Sequence, residues 1–430
     1  MLSIEENELL TRIGPDTPMG ETLRHYWMPA LLSWELAEPD SPPVRVKLLG
    51  EDLVAFRDSS GRVGLLGELC PHRRASLWLG RNEENGLRCA YHGWKYDVTG
   101  QCIDQMNEPV SFASRIRAPA YPTHEHGGVI WAYLGPVAQQ PPFPDFEYLR
   151  AADTHRSVTK VLEECNWMQA LEGGIDTSHA PILHRALTGD SGAGNPITSP
   201  FVRSSAPVLE LDPTDYGYRY YGVRNLDQAD LYVRGYHFVM PFTQIRPNQV
   251  GRGGPPGTTI SGHHWVPMDD HNCMVWNWTY SYGPEPLSEV EMTQSGNGNG
   301  REAVDWDHGF RSFSNKDNNW NIDRDMQRTR SFSGITGTNT QDRAIQESMG
   351  RIVDRSQEHL GPADRAIATT RQMLLEAIRT TQQGDDPLGA QSIAYGRARA
   401  IDRILPRDAD WRDVILPAMA SEDEKQAALA

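Results

Sequence analysis

A chain of 430 residues with a formal net charge of −16, 38% hydrophobic residues and twelve tryptophans reads as a globular protein, long enough for two or three cored domains. Its acidity argues against nucleic acid or an anionic membrane as the main partner, since both require a basic face, and suits a basic partner such as an electron donor. Of the five cysteines, two fall in a Cys/His ligand pattern and three are left without regular spacing, which suggests a reducing compartment. The acidic start Met1-Leu2-Ser3-Ile4-Glu5-Glu6 lacks signal-peptide architecture, and no run approaches the roughly 20 apolar residues of a membrane span, so a cytoplasmic location is expected.

Residues 1–35 combine a short helical pattern from Glu5 to Ile13 with Gly14-Pro15-Asp16 and Tyr26-Trp27, which suits a segment packed on the second domain. From Val44 the period changes to two: Val44-Arg45-Val46-Lys47-Leu48, Leu53 to Phe56, Val63 to Leu66 and Val129 to Tyr133 read as strands, with Asp58-Ser59-Ser60-Gly61 as a turn. An all-β domain over 36–144 follows, closed by a proline-rich linker from Pro136 to Pro144. Inside it lie Cys70-Pro71-His72 and, sixteen residues on, Cys89-Ala90-Tyr91-His92-Gly93-Trp94. Two thiolates and two imidazoles from a pair of loops are the ligand set of a Rieske [2Fe-2S] centre. Zinc takes the same four residue types, although a Cys and a His one residue apart are strained when both must reach one tetrahedral ion.

The second domain, 145–430, opens with a strand near Val158 and turns helical from Glu163 to about Ser178. Strands resume at Tyr218 to Val223, Tyr232 to Met240, Thr258 to Val266 and Met274 to Tyr280, alternating aromatic with polar residues as a half-solvated antiparallel sheet does. Gly189 to Pro200, Pro247 to Gly257 and Ser295 to Gly300 are rich in Gly, Pro and Asn and read as lids or disordered loops. Arg343 to Gly350 and Ala363 to Thr380 read as helices. Asn166, Glu172, Asp176, His179 and His184 form a second constellation. Asp176 and His179 share a helix face, whereas His179 and His184 are five apart, about 140° around a regular helix. Pro181 between them should break the helix and let His184 swing back toward His179. Two His plus a carboxylate leave open positions on a non-haem Fe(II). In isolation the same residues read as a cap and two surface histidines.

Cys70-Pro71-His72-Arg73 with Tyr91-His92-Gly93-Trp94 resembles the Rieske domain of ring-hydroxylating oxygenases. The loops lack the extra Cys of respiratory Rieske proteins, because Cys102, Cys165 and Cys273 lie outside both. The resemblance covers nearly the whole chain and is strongest to the phthalate dioxygenase branch. It implies an α+β protein: an all-β Rieske [2Fe-2S] domain plus a catalytic domain with a large antiparallel sheet flanked by helices, helix-grip-like. Asp176-x-x-His179-x4-His184 resembles the family's mononuclear-iron motif. By that match Cys70, His72, Cys89 and His92 hold the cluster, and His179 and His184 hold the iron. Asp176 bridges His179 to His92 of another chain, and Asn166 is a near neighbour of the iron. Among Asp305, Asp307, Asp323, Asp325, Asp342, Glu347 and Asp354, the family's ligand position at the start of a late helix selects Asp342. A helix N-terminal charge is the lesser alternative for Asp342.

An aromatic carboxylate calls for Arg, whose planar fork pairs it bidentately. Arg203, Arg224, Arg234 and Arg246 fall in the sheet region. Arg203 and Arg234 resemble the phthalate-anchoring positions, and Ser178 is expected in the same pocket. A surface salt bridge is the plain alternative for each arginine. The stretches 180–201 and 216–221 depart from the phthalate branch. The resemblance implies electrons from NAD(P)H through a separate FMN and plant-type [2Fe-2S] reductase, and cis-dihydroxylation of an aromatic acid in a homotrimer or stacked trimers. A monooxygenase or O-demethylase acting on a substituted aromatic acid or diaryl ether carboxylate is the alternative on the same two-iron frame. An electron carrier would leave some 280 residues after the first domain unexplained, and a zinc-dependent binding module would be colourless.

Overall fold

The computed structural model describes residues 2–187, 206–226, 230–248, 257–392 and 394–419. The chain divides into two compact units, Ile13–Pro141, and Met1–Arg12 together with Pro142–Ala430. Among the described residues no helix is long and apolar enough to cross a membrane.

The Ile13–Pro141 unit consists of three small antiparallel sheets. Val44–Leu48, Glu51–Arg57 and Val63–Gly67 form one, where the period-2 alternation predicted it. Arg81–Glu83, Gly86–Arg88, Trp94–Tyr96 and Cys102–Gln105 form another. In the third, Trp27–Leu32 pairs with Val129–Tyr133, which pairs with Thr123–His126. That pairing corrects the expected single segment over 1–35. Residues from Ile13 onward belong to this unit, and only the first twelve go with the other. There, helix Ile4–Thr11 is closed at its start by a reciprocal Ser3/Glu6 capping box, and its last carbonyls accept from Trp167 Nε1 and Asn166 Nδ2. The boundary at Pro141 falls inside the proline-rich stretch.

The other unit is built on a ten-stranded sheet. Its strands are β1 (Arg156–Glu163), β2 (Val208–Thr214), β3 (Gly217–Asn225), β4 (Asp230–Val239), β5 (Thr243–Pro247), β6 (Thr259–Asp269), β7 (Asn272–Ser281), β8 (Val304–Asp305), β9 (Arg311–Ser312) and β10 (Ile401–Pro406). They run in the order β2-β3-β4-β5-β6-β7-β1-β9-β8, with β10 on β4. All ladders are antiparallel except the single Leu162–Arg311 bridge between β1 and β9, so the sheet is mixed by that one contact. The four aromatic-alternating strands appear where expected. β2, β5, β8, β9 and β10 were not expected: Glu210, Asp212 and Pro213 give β2 little strand character, and pairing with β3 supplies it.

The two sheet faces differ. Leu231, Val233 and Leu405 bury against Ile415 and Met419 of the C-terminal helix Trp411–Met419, while Tyr232, Arg234 and Tyr236 alternate to the opposite face. On that opposite face lies α1 (Trp167–Ile175), started by Asn166, whose side chain accepts from Met168 N–H. Two glycines let α1 approach: a Cβ on Gly174 would lie 1.9 Å from Trp265 Cζ2, and one on Gly173 2.0 Å from Gln346 Nε2. Gln346 belongs to α3 (Thr338–Ser348), so α1 is wedged between β6 and α3. The helix expected from Arg343 therefore starts five residues earlier.

Between α1 and α3 in the chain, α2 (Ala180–Leu183) corrects the expected role of Pro181. α1 stops at Ile175, and Pro181 sits in the first turn of α2 and opens it, where its missing N–H is no loss. His179 and His184 are the residues flanking that one turn. Of the expected lids, Gly189 to Pro200 lies outside the described residues, as does most of Pro247 to Gly257. Ser295 to Gly300 is pinned to α3, with Asn339 N–H donating to Asn297 O and Arg343 to Gly298 O and Asn299 Oδ1.

Candidate metal centres and substrate cavity

In the Ile13–Pro141 unit each Cys opens a tight loop. Arg74 N–H bonds back to Cys70 O at 2.9 Å and Gly93 N–H to Cys89 O at 3.0 Å. Gly93 takes φ +73°, and a Cβ there would meet Met106 Cβ at 2.7 Å, so the second loop needs glycine. Both thiols are buried in the apolar core with Phe56, Leu77 and Tyr96, and Cys70 Sγ lies 3.2 Å from Tyr96 Oη. The imidazoles of His72 and His92 are half-exposed, their centroids 4.5 Å apart, and Trp94 stacks on His72 at 4.3 Å. A proton shared between the thiols raises Cys70, with burial adding to the rise, and the same bond lowers Cys89. Sulfurs inward and nitrogens outward fit a two-iron cluster. Among the described residues the group of three ligand atoms lying within 4.8 Å of one another is His179, His184 and Asp342, so the two Cys and two His are not gathered round one point as zinc gathers them.

That group of three lies in the other unit. His179 and His184, on either side of α2, bring Nε2 to 3.3 and 3.2 Å from Oδ1 of Asp342 in the second turn of α3. Their outer nitrogens are both engaged: His179 Nδ1 with Asp176 Oδ2 at 3.1 Å, His184 Nδ1 with Gln341 Oε1 at 2.7 Å. Asp176 is oriented by Ser178, whose N–H and Oγ–H both go to Oδ1, and Gln341 by its own Nε2–H to Ile335 O. With Nδ1 the protonated nitrogen of each ring, two Nε2 lone pairs and a carboxylate face one another, and Asp342 Oδ1 is buried with no hydrogen bond. Three lone-pair donors converging without a proton fit a divalent cation with open positions. Burial alone lowers His179, but the Asp176 carboxylate bonded to its Nδ1–H and the Asp342 carboxylate 3.3 Å from its Nε2 outweigh that and raise it to about 10. Burial likewise raises Asp342, and the two histidines reverse it, holding the carboxyl far below its ordinary range. Both shifts report the same shortage of positive charge at this point.

A cavity of about 680 Å³ opens beside these three residues. Its walls include Arg234, Tyr236, Gln244, Arg246, Ser261 and His263 from the sheet, and Asn339 and Arg343 from α3. Arg234 donates to Pro247 O and stacks over Tyr236 at 5.2 Å. Burial and the neighbouring Arg234 pull Arg246 down to about 10, which leaves it charged at neutral pH. Glu163, 1% exposed, is pushed up to about 8 by burial and by Glu347.

The expected site residues separate accordingly. Asp176, His179, His184, Asp342 and Arg234 come together. Asp354 and Asp323 instead cap short surface helices, Asp325 lies in the first turn of the second of these, and Asp305 bonds His308. Asn166 does not reach the histidines: its side chain caps α1 and donates to Thr11 O and Asp270 O, which fully occupies it. Ser178 orients Asp176 instead of lining the cavity. Glu172 is bound by Arg355 and Arg371, and Arg224 by Thr177. Arg203 lies outside the described residues. Sequence reading gave no role to Gln341, although it adjoins Asp342, or to His263.

Two family models match, the Rieske [2Fe-2S] domain over residues 26–116 and the LigXa C-terminal domain-like family over 132–429. The phthalate 4,5-dioxygenase oxygenase subunit of Pseudomonas putida is 37% identical over 424 residues, covering 96% of this chain and 94% of that one. The 5,5'-dehydrodivanillate O-demethylase oxygenase subunit of Sphingobium sp. is 31% identical over 437 residues, covering 98% and 90%. A solved structure of Pseudomonas putida CBB5 NdmA (QL mutant, with caffeine) shares the fold at 19% identity, with a TM-score of 0.60, over 90% of this chain and 98% of that one. With both models matched in tandem and that identity sustained from end to end, the chain belongs to the Rieske non-haem iron oxygenases, as an oxygenase component that carries a [2Fe-2S] cluster and a mononuclear iron and receives electrons from a reductase.

Proposed function

We propose that this oxygenase component acts on an aromatic carboxylate, with cis-dihydroxylation as its reaction. Cys70, His72, Cys89 and His92 hold the cluster, and His179, His184 and Asp342 the mononuclear iron, which when bound supplies O2 activation at its open positions. The observation that carries the reading is the shared cavity: Arg234 and Arg246 stand in the wall of the space that His179, His184 and Asp342 also line. An aromatic acid there has a guanidinium for its carboxylate and its ring beside the metal, and enclosure strengthens that pairing. Asp176 keeps the His179 Nδ1–H oriented and would link it to His92 of a neighbouring copy, the path along which an electron would pass from a bound cluster toward a bound iron. This role requires a ring of copies, and a homotrimer or stacked trimers satisfies it. The donor is an FMN and plant-type [2Fe-2S] reductase using NAD(P)H.

The test is substrate-stimulated O2 and NADH consumption with a surrogate reductase across phthalate, isophthalate, terephthalate and phenoxybenzoate, with product mass under labelled O2. One strong responder gaining two labelled oxygens is the expected result. Iron-replete protein that consumes no O2 with any aromatic acid overturns the reading. The O-demethylase relative, similar over 98% of the chain, supports a second reading in which a methoxylated acid is demethylated. One labelled oxygen in the product, with formaldehyde released, selects it.

A further inference from the structure

The sheet floor of the cavity carries a donor and an acceptor whose roles are fixed by their surroundings. On β5 and β6, Arg246 is the ladder partner of Ser261, and His263, two residues along the same face, is the partner of Gln244 and, across β7, of Asn277. Arg246 and His263 both line the cavity, and both feel the charge of Asp342.

His263 Nδ1 lies 2.9 Å from Asn277 Oδ1. Asn277 cannot turn its amide round, because its Nδ2 donates to Val275 O and its Oδ1 also accepts from Asn339 Nδ2. The oxygen therefore faces the imidazole, Nδ1 carries the proton, and Nε2 is a bare lone pair. Burial and Arg246 keep the ring neutral. Among the described residues nothing donates to that Nε2, and no carboxylate pairs with Arg246. A guanidinium only donates, and this Nε2 only accepts. A ligand that satisfies both brings an anion for one and an O–H for the other.

We propose that Arg246 and His263 form a two-point subsite for a phenolic aromatic acid: a ring carrying a carboxylate, held on Arg246, and a hydroxyl, donating to His263 Nε2. This rests on the aromatic-acid reading above and narrows it, since phthalates and simple benzoates offer no donor to His263 and leave its lone pair buried unpaired.

The experiment is equilibrium binding by calorimetry to the oxidised, iron-loaded holoenzyme without reductase, so that no turnover occurs. The probes are benzoate, the 2-, 3- and 4-hydroxybenzoates and their matched methoxybenzoates, each against wild type, Arg246→Leu and His263→Phe. At least one hydroxybenzoate is expected to bind about tenfold or more tightly than its methyl ether and than benzoate, the size of effect that one unpaired buried acceptor produces. His263→Phe removes that difference, and Arg246→Leu weakens all the acids about tenfold or more. Equal binding of hydroxy and methoxy acids by wild type overturns the subsite without calling on any variant. A preference that survives His263→Phe, or acid binding that survives Arg246→Leu, overturns it as well. If no aromatic acid binds wild type at all, with or without a hydroxyl, the aromatic-acid reading itself fails.

Discussion

Replacing Glu163 by Gln tests whether the wall of the oxygenase cavity holds a neutral carboxylic acid. Glu163 ends β1 with 1% exposure, accepts among the described residues from Cys165 Sγ at 3.4 Å, and sits in the field of Glu347, against which Arg343 provides a partial counter-charge. Its folded-state pKa is about 8 against an ordinary 4.5. Folding therefore favours the protonated form. Below pH 4.5 the folded and unfolded chains bind the same proton and nothing changes. From 4.5 to 8 the unfolded chain releases it and the folded chain does not, so stability falls with rising pH at about 1.4 kcal/mol per unit. Above pH 8 both are ionised and the slope ends. At pH 7 that window spans about 2.5 units, or about 3.5 kcal/mol. Glutamine has the same shape and no proton to lose. The assay is urea unfolding of wild type and Glu163→Gln from pH 5 to 8.5: the variant gains on wild type by about 3 kcal/mol between pH 5 and 7 and levels off above 8. An infrared band of a protonated carboxyl at neutral pH, lost in the variant, is the independent check. Parallel stability curves across the range would refute the reasoning.

Other residues give sharper local outcomes. Gly174→Ala places a methyl 1.9 Å from Trp265 Cζ2, so α1 must leave the sheet at a cost of about 1–3 kcal/mol, read as a lowered Tm; an unchanged Tm contradicts the packing. Asp342→Ala removes the mononuclear iron while the cluster absorbance persists, and Asp354→Ala, a surface cap, removes none, as measured by iron analysis of both variants. Gln341→Leu takes away the acceptor that holds His184 Nδ1–H and should weaken metal retention about 10–100-fold in a chelator competition; Gln341→Glu, which still accepts, should recover most of it.

How far these centres could be read beforehand followed the distance along the chain over which each is assembled. Cys70, His72, Cys89 and His92 sit in two short loops, so spacing alone displayed the ligand set. The burial of sulfurs and the half-exposure of imidazoles then followed from the strands that carry those loops. His179 and His184 were visible for the same reason, although α1 ends earlier than helical spacing suggested and Pro181 opens α2 instead of breaking a helix. Asp342 was one of seven downstream carboxylates, and only resemblance to a family selected it. Among the described residues the fold singles it out by setting its oxygen against both imidazoles.

What the sequence by itself determined is the local chemistry: the Cys/His pairs, the Asp176-x-x-His179-x4-His184 run, and the presence of the aromatic-alternating strands, although the half-solvated face expected of that alternation is instead buried on both sides of β4 and β6. Which polar residues share the cavity was decided only by tertiary structure. Alternation says that Arg234 and Tyr236 point one way and Val233 the other, but not which way is inward. That depends on α1 closing over one face through Gly173 and Gly174 and the C-terminal helix covering the other. Ladder register then sets Arg246 opposite Ser261 and His263 opposite Asn277, so that an arginine, a histidine of fixed tautomer and a carboxylate nearly eighty residues further on come to face one space. Register and helix docking are relations between distant segments, fixed by the packing of many side chains at once, and no local spacing carries them.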